Sequence, residues 1–327
     1  MIFLNVLILA VGFVALIKGA DLFVDGSAAL ARIFRVPAII IGLTVVALGT
    51  SAPELAVSTV AAIEGSNEIA VSNVIGSNIF NLLMVLGVCA VVSPIPVDRS
   101  IVKKDFPVVI VPTAALFLLV GGVKLIGGEL LHADMNAVAG TVTRPIALTL
   151  LAAFIAYITY LILSARKNRG GEEEETGTTY TTRKCVFLIL IGLALIVGGG
   201  QAVVYSAKEI ALALGMTETL VALTVVSVGT SLPELVTSLV AARKQETALA
   251  VGNVVGSNIF NLMMILGVSA SINPVAVNVA SVWDLLILIA VTLMTWLFAG
   301  AGRKINRVEG LLMVAAYAGV ITFAIIR

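Results

Sequence analysis

The sequence predicts an all-α membrane protein of ten transmembrane helices, arranged as two inverted five-helix repeats with helices 2, 3, 7 and 8 broken. Three observations lead there: an apolar composition, ten apolar stretches of spanning length, and two polar blocks that recur at a fixed offset. Of 327 residues, 60% are hydrophobic and 12% charged, against roughly 25% charged residues in an ordinary soluble domain. A spanning helix takes about 20 mostly apolar residues. Such stretches fall near 3–23, 37–62, 69–92, 106–122, 146–164, 185–205, 217–242, 248–271, 283–300 and 309–326.

A net charge of +1 offers no bulk field for nucleic acid or an acidic partner, so the placement of the positive residues is the useful signal. With the N-terminus outside, the inner loops hold Arg32, Arg35, Arg99, Lys103, Lys104, Arg166, Lys167, Arg169, Arg183, Lys184, Arg243, Lys244, Arg303, Lys304 and Arg307, which is 15 of the 20 Lys and Arg residues. The positive-inside rule then places both termini on the extracytoplasmic face of a cell membrane. The first apolar stretch has no positive residue before it and no small-residue cleavage site, so it reads as a span. Cys89 and Cys185 lie in or beside apolar spans and read as core packing.

The internal repeat is plain. GLTVVALGTSAPEL at 42–55 matches ALTVVSVGTSLPEL at 222–235, and VSNVIGSNIFNLLMVLGV at 71–88 matches VGNVVGSNIFNLMMILGV at 251–268, both at an offset of 180 positions. Each half holds five spans, an odd number, so the second copy enters the membrane with the opposite sense. The first repeat covers 1–165, a cytoplasmic linker 166–184 and the second repeat 185–327. The Glu172–Glu175 run reads as part of a solvated linker, and His132, in a long loop between the fourth and fifth spans, as a surface residue.

An ionised carboxylate at the bilayer centre costs roughly 2.5–3.5 kcal/mol on insertion scales. Glu54 and Glu234 are two of them at equivalent places, with no Lys or Arg in the 15 residues upstream of either, so a cation is the expected compensation. Each follows a proline, Pro53 or Pro233, which removes an amide donor and breaks the span. Exposed backbone at that depth survives only where it lines a cavity. Thr50, Ser51 and Glu54, and likewise Thr230, Ser231 and Glu234, put hydroxyl and carboxylate oxygens on it, the ligand set that hard cations such as sodium and calcium require. In the second block Asn73, Ser77 and Asn81, and Asn253, Ser257 and Asn261, recur every four residues and share a helical face. Ser77, Asn81, Ser257 and Asn261 read as ligands; Asn73, Asn78, Asn253 and Asn258 could equally join helix to helix. Asp21 and Asp25, whose repeat equivalents Gln201 and Tyr205 are uncharged, read as solvated at the interface.

The blocks GTSAPEL and GTSLPEL, with SNVIGSNIFN and GNVVGSNIFN, resemble the paired alpha-repeats of the sodium/calcium exchanger family within the calcium/cation antiporter superfamily. The resemblance implies antiport by alternating access, three sodium ions for one calcium ion, with the first and sixth spans sliding past a rigid body of eight helices. It implies no cofactor, with Na+ and Ca2+ as transported ions, membrane lipid as surroundings and a monomer as sufficient. The family's ligand pattern falls on Ala47, through its carbonyl, Thr50, Ser51, Glu54, Ser77 and Asn81, and on Ser227, Thr230, Ser231, Glu234, Ser257 and Asn261. Potassium-dependent relatives have an aspartate where this chain has Asn261, which argues against potassium co-transport.

A calcium/proton antiporter shares this architecture and differs in being driven by a pH gradient; that branch carries acidic residues where this chain has Ser77, Asn78, Ser257 and Asn258. A cation channel is disfavoured by the inverted repeat. No zinc motif, catalytic aspartate pair or Ser/His set accompanies the glutamates, so an enzyme is not expected. With three sodium ions per calcium, each cycle moves one net positive charge, equivalent to about 2.3 kcal/mol per 100 mV. Flux in vesicles should therefore follow an imposed potential, and potential-independent flux rules the ratio out.

Overall fold

The computed structural model describes residues 2–65, 67–167, 180–214 and 229–326. Most of the expected linker, with the Glu172–Glu175 run, lies outside the described residues, as does the seventh apolar stretch up to residue 228. In chain order the helices are α1 (Ile2–Phe34), α2 (Ala38–Thr50), α3 (Ala52–Glu64), α4 (Ile69–Val92), α5 (Ile101–Ile126), α6 (Arg144–Arg166), α7 (Thr182–Ala213), α8 (Leu232–Arg243), α9 (Thr247–Ile272), α10 (Val279–Gly302) and α11 (Arg307–Ile326). Among the described residues eight are long and apolar enough to cross a membrane, and nine such spans result when α2 and α3, bent by 50° at their junction, are taken as one.

The chain forms two compact units, residues 1–53 with 160–256 and residues 54–159 with 257–327, so each draws on both sequence repeats. In the first unit α1 and α7 pack antiparallel along their lengths, with Gly12 against Gly199, Gly19 against Gly192 and Gly26 against Cys185. A Cβ at Gly192 would stand 2.7 Å from the carbonyl oxygen of Gly19 and the amide of Phe23, and one at Gly19 would stand 2.8 Å from the carbonyl oxygen of Gly192. Small residues are the usual means of bringing helix backbones this close in lipid, where hydrophobicity does not drive one helix onto another. Gly12 and Gly19 are the repeat equivalents of Gly192 and Gly199, so the contact is reciprocal.

The second unit is closed at its ends by two small antiparallel sheets. β1 (Ile95–Pro96) pairs with β4 (Lys304–Ile305), and β2 (Val138–Val142) with β3 (Val275–Asn278). Each sheet joins a strand of the first repeat to one of the second, and each joins two loops that the charge pattern places on the same side. β2 occupies part of the long loop between the fourth and fifth spans, whose extra length had no account in the sequence. Arg144 donates to the carbonyls of Ser271 and Ile272 (3.3 and 3.2 Å), and the Trp296 indole to that of Val102 (2.7 Å). Asp105, 4% exposed, accepts from the Tyr157 hydroxyl at 2.9 Å.

α4 and α9 form the interior, with 78% and 94% of their most apolar windows buried against 17% for α1 and 11% for α11. The expectation that these two helices, the third and eighth, are broken is corrected. They run without interruption and carry a π-helical stretch, Asn81–Val85 in α4 and Phe260–Ile265 in α9. Neither contains a proline, and a π turn widens the helix while keeping its backbone bonded within the ladder.

Gly192→Val should lower the thermal unfolding temperature of the detergent-solubilised protein, a loss of about 1–3 kcal/mol from forced overpacking. Gly198→Ala, where a new Cβ would meet no described atom within 4 Å, should leave it unchanged. Equal melting of the two variants would contradict the glycine contact.

Candidate functional site

In the first unit the candidate residues cluster where α2 ends and where α8 begins. α2 is π-helical over Gly42–Val46, returns to α geometry for Ala47–Thr50, and stops at Ser51, whose backbone angles are φ −82° and ψ 7°. Ser231, at the start of α8, has φ −93° and ψ 6°, the same sparsely populated conformation at the equivalent position. Pro53 and Pro233 lie in the first turns of α3 and α8, where a missing amide costs nothing. The Ala47 carbonyl accepts the Ser51 amide at 3.0 Å, and the Thr50 hydroxyl stands 3.4 Å from the same oxygen.

Glu54 and Glu234 stand in the first turns of α3 and α8, and both are fully buried. A helix start presents unbonded amides and the positive end of the dipole, which favours a carboxylate there. The Ser51 hydroxyl donates to Glu234 Oε1 at 2.9 Å, bringing a first-repeat and a second-repeat residue together. The Thr50 hydroxyl donates to Asn253 Oδ1 at 2.9 Å, and Asn253 Nδ2 donates to Ser238 Oγ at 2.9 Å. Among the described residues the Thr230 hydroxyl has no hydrogen-bond partner. Ser227 lies outside the described residues.

In the second unit Asn73 Nδ2 donates to Ser58 Oγ at 2.8 Å and to the Glu54 carbonyl at 3.3 Å. The bond to Ser58 repeats that from Asn253 to Ser238 at the same offset of 180 positions. Asn78 and Asn258 also bond across helices, so all four asparagines that the sequence left open are used in joining segments. Asn81 and Asn261 differ. Both are fully buried, both lie on the π turns, and among the described residues neither the amide nitrogen nor the oxygen of either has a hydrogen-bond partner. A buried polar atom left unsatisfied costs about 1–3 kcal/mol, and π turns concentrate at functional sites. Ser77 and Ser257, 4% and 0% exposed, stand one turn before them on the same face.

Sequence reasoning missed Ser58 and Ser238, whose hydroxyls hold Asn73 and Asn253, although their identity at an offset of 180 positions was a readable signal. Asp21 and Asp25, read as solvated at the interface, are 35% and 45% exposed, and the sequence missed that Lys244 bonds Asp25 at 2.8 Å and Asp21 at 3.3 Å, with Arg32 on Glu246 at 3.1 Å beside them. Partial burial alone would lower the Lys244 pKa, but the bond to Asp25 and the two nearby carboxylates outweigh it and raise it. No group of three or more His, Cys, Asp or Glu residues suited to a metal occurs among the described residues. The donor set is one of hydroxyls, amides and two carboxylates, suited to hard cations.

A family model described as sodium/calcium exchanger protein matches residues 4–163 and 184–326. The sodium/calcium exchanger MaX1 of Methanosarcina acetivorans is 32% identical over 97% of both chains. Inner membrane protein YrbG of Escherichia coli is 33% identical over 82% of this chain and 79% of that one. A solved structure of the sodium-calcium exchanger NCX_Mj superposes with a TM-score of 0.82 at 31% identity, covering 100% of each chain.

Two asparagine substitutions should separate framework from ligand. Asn253→Ala removes two bonds and should destabilise the ion-free protein, by roughly 0.6–1.7 kcal/mol per bond. Asn261→Ala removes none, so its ion-free melting temperature should match or exceed that of the wild type while stabilisation by added calcium is lost. Equal melting of the two ion-free variants, or full calcium stabilisation of Asn261→Ala, contradicts this division.

Proposed function

The chain belongs to the sodium/calcium exchanger protein family, and on that premise we propose that this membrane antiporter exchanges sodium for calcium by alternating access, three sodium ions for each calcium ion. The observation that carries the reading is the pair of buried amides, Asn81 and Asn261, that no described residue satisfies. Each follows a buried serine on the same helix face, in equivalent positions of a two-fold repeated sequence. A cation would take the amide oxygens as ligands.

The proposed ligands are Ala47, Thr50, Ser51, Glu54, Ser77 and Asn81 from the first repeat and Ser227, Thr230, Ser231, Glu234, Ser257 and Asn261 from the second. Two carboxylates balance one calcium ion or two sodium ions, so the two ions compete for the same charge. A third sodium then leaves one net positive charge moved per cycle. Asn261 supplies an amide and no further negative charge, which leaves nothing to balance a co-transported potassium ion. Antiparallel packing of the equivalent helices α1 and α7 supports an inverted relation of the repeats. It fits ten spans as two sets of five, 1–165 and 185–327, and the placement of Lys and Arg supports a cytoplasmic linker at 166–184 with both termini extracytoplasmic at the plasma membrane.

Calcium-45 uptake into sodium-loaded proteoliposomes tests this, with choline-loaded and acid-loaded vesicles as controls, for wild type and Glu54→Gln. Uptake should require internal sodium and be lost in the variant. Uptake driven by the pH gradient alone moves the assignment to calcium/proton antiport, and calcium flux in no condition refutes calcium exchange.

A further inference from the structure

Asn78 and Asn258 form a feature that ion ligation does not use. Both are fully buried, each follows a proposed ligand, Ser77 or Ser257, and each lies three residues before another, Asn81 or Asn261. Asn78 Nδ2 donates to the Asn258 carbonyl at 3.2 Å, and Asn258 Nδ2 donates to the Asn78 carbonyl at 3.4 Å. The two residues are repeat equivalents, so the exchange is reciprocal: each side chain grips the other's backbone where α4 and α9 cross. The bonds are at or beyond the long end of the ordinary range and add little stability. Their consequence is geometric, because they fix the separation of two backbones within one residue of Ser77 and Ser257 and within one turn of Asn81 and Asn261.

We propose that Asn78 and Asn258 are a positioning pair whose reciprocal amide-to-carbonyl bonds set the spacing of the two oxygen ladders, and through it the size of divalent cation that the site prefers. The proposal rests on the ligand reading of Ser77, Asn81, Ser257 and Asn261 given above. Selectivity between divalent ions depends on cavity size, ligand number and rigidity. Unlike the Asn81 and Asn261 amides, those of Asn78 and Asn258 are each committed through Nδ2 to the opposite backbone, so on this proposal the pair acts on the site through spacing. Neither Asn78 Oδ1 nor Asn258 Oδ1 has a hydrogen-bond partner among the described residues, so loss of either side chain orphans no other side-chain acceptor.

The test uses the full chain in proteoliposomes, as wild type, Asn78→Ala, Asn258→Ala, Asn78→Leu and the double alanine variant. Calcium-45 uptake is measured with strontium and magnesium as competitors, and folding is checked by monodispersity on size-exclusion chromatography. The expected result is that each folded single variant raises half-saturating calcium about tenfold, as loss of an outer support to a metal ligand does. The strontium-to-calcium preference should shift towards the larger ion, and the double variant should resemble either single one because one broken bond already releases the spacing. Unchanged calcium-to-strontium preference in folded variants overturns the proposal. Loss of folded protein in all of them also overturns it, in favour of a framework role. If wild type shows no sodium-dependent uptake, the exchange reading falls separately, and the same ratio is then read from equilibrium calcium-45 binding to the solubilised protein.

Discussion

The cost of burying polar groups away from water governs this structure. Two glutamates, five asparagine amides and a set of serine and threonine hydroxyls are fully buried in helices that are otherwise apolar. In such surroundings each donor and acceptor needs a partner, and each charge needs compensation. The local features follow from that demand. The helix stops at Ser51 and resumes beyond it, so Glu54 lies at a helix start with amides and a favourable dipole beside it. The prolines fall where their missing amides are harmless, and most asparagines find a serine, threonine or carbonyl on a neighbouring segment.

A repeated sequence meets this demand economically because it supplies matching surfaces. When two copies pack with opposite sense, a contact from residue i of one to residue j of the other is returned from j to i. The glycines of α1 and α7 show this for packing, and Asn78 with Asn258 shows it for hydrogen bonding. The short sheets extend the same logic to the loops, since each pairs one strand from either repeat. Symmetry is incomplete at the ends: the Lys244 bridge to Asp21 and Asp25 has no counterpart, because the equivalent positions are Gln201 and Tyr205.

Much of this was legible in the sequence, and the parts that were not share a cause. Apolar stretches locate helices, and the offset of 180 positions located Ser51 and Ser231 immediately before the starts of α3 and α8, because proline acts locally on the backbone. The π turns were not legible. The third and eighth helices were expected to be broken like the second and seventh, but they hold no proline, and each continues through a π-helical stretch. β2 and β3 were read as loop because a strand of four or five residues has too short a pattern to register, and its stability comes from a partner more than 130 positions away. The bridge from Lys244 to Asp21 and Asp25 was missed for a related reason, since Lys244 is distant in sequence.

The asparagines show most clearly what spacing can and cannot decide. Asn73 and Asn81 are the same residue type, eight positions apart on one face of α4, and nothing in that helix alone distinguishes them. The difference lies opposite them. α3 presents Ser58 to Asn73, and α8 presents Ser238 to Asn253, so those amides become framework. No described residue offers a partner to Asn81 or Asn261, and these fall where the π turn displaces the ladder. On the proposed reading Asn81 and Asn261 serve as ligands because the surrounding fold buries the whole amide and satisfies neither of its ends. Matching the two repeats against each other could have exposed half of this, since Ser58 and Ser238 recur with their asparagines. The other half, an absent partner, leaves no mark in a sequence.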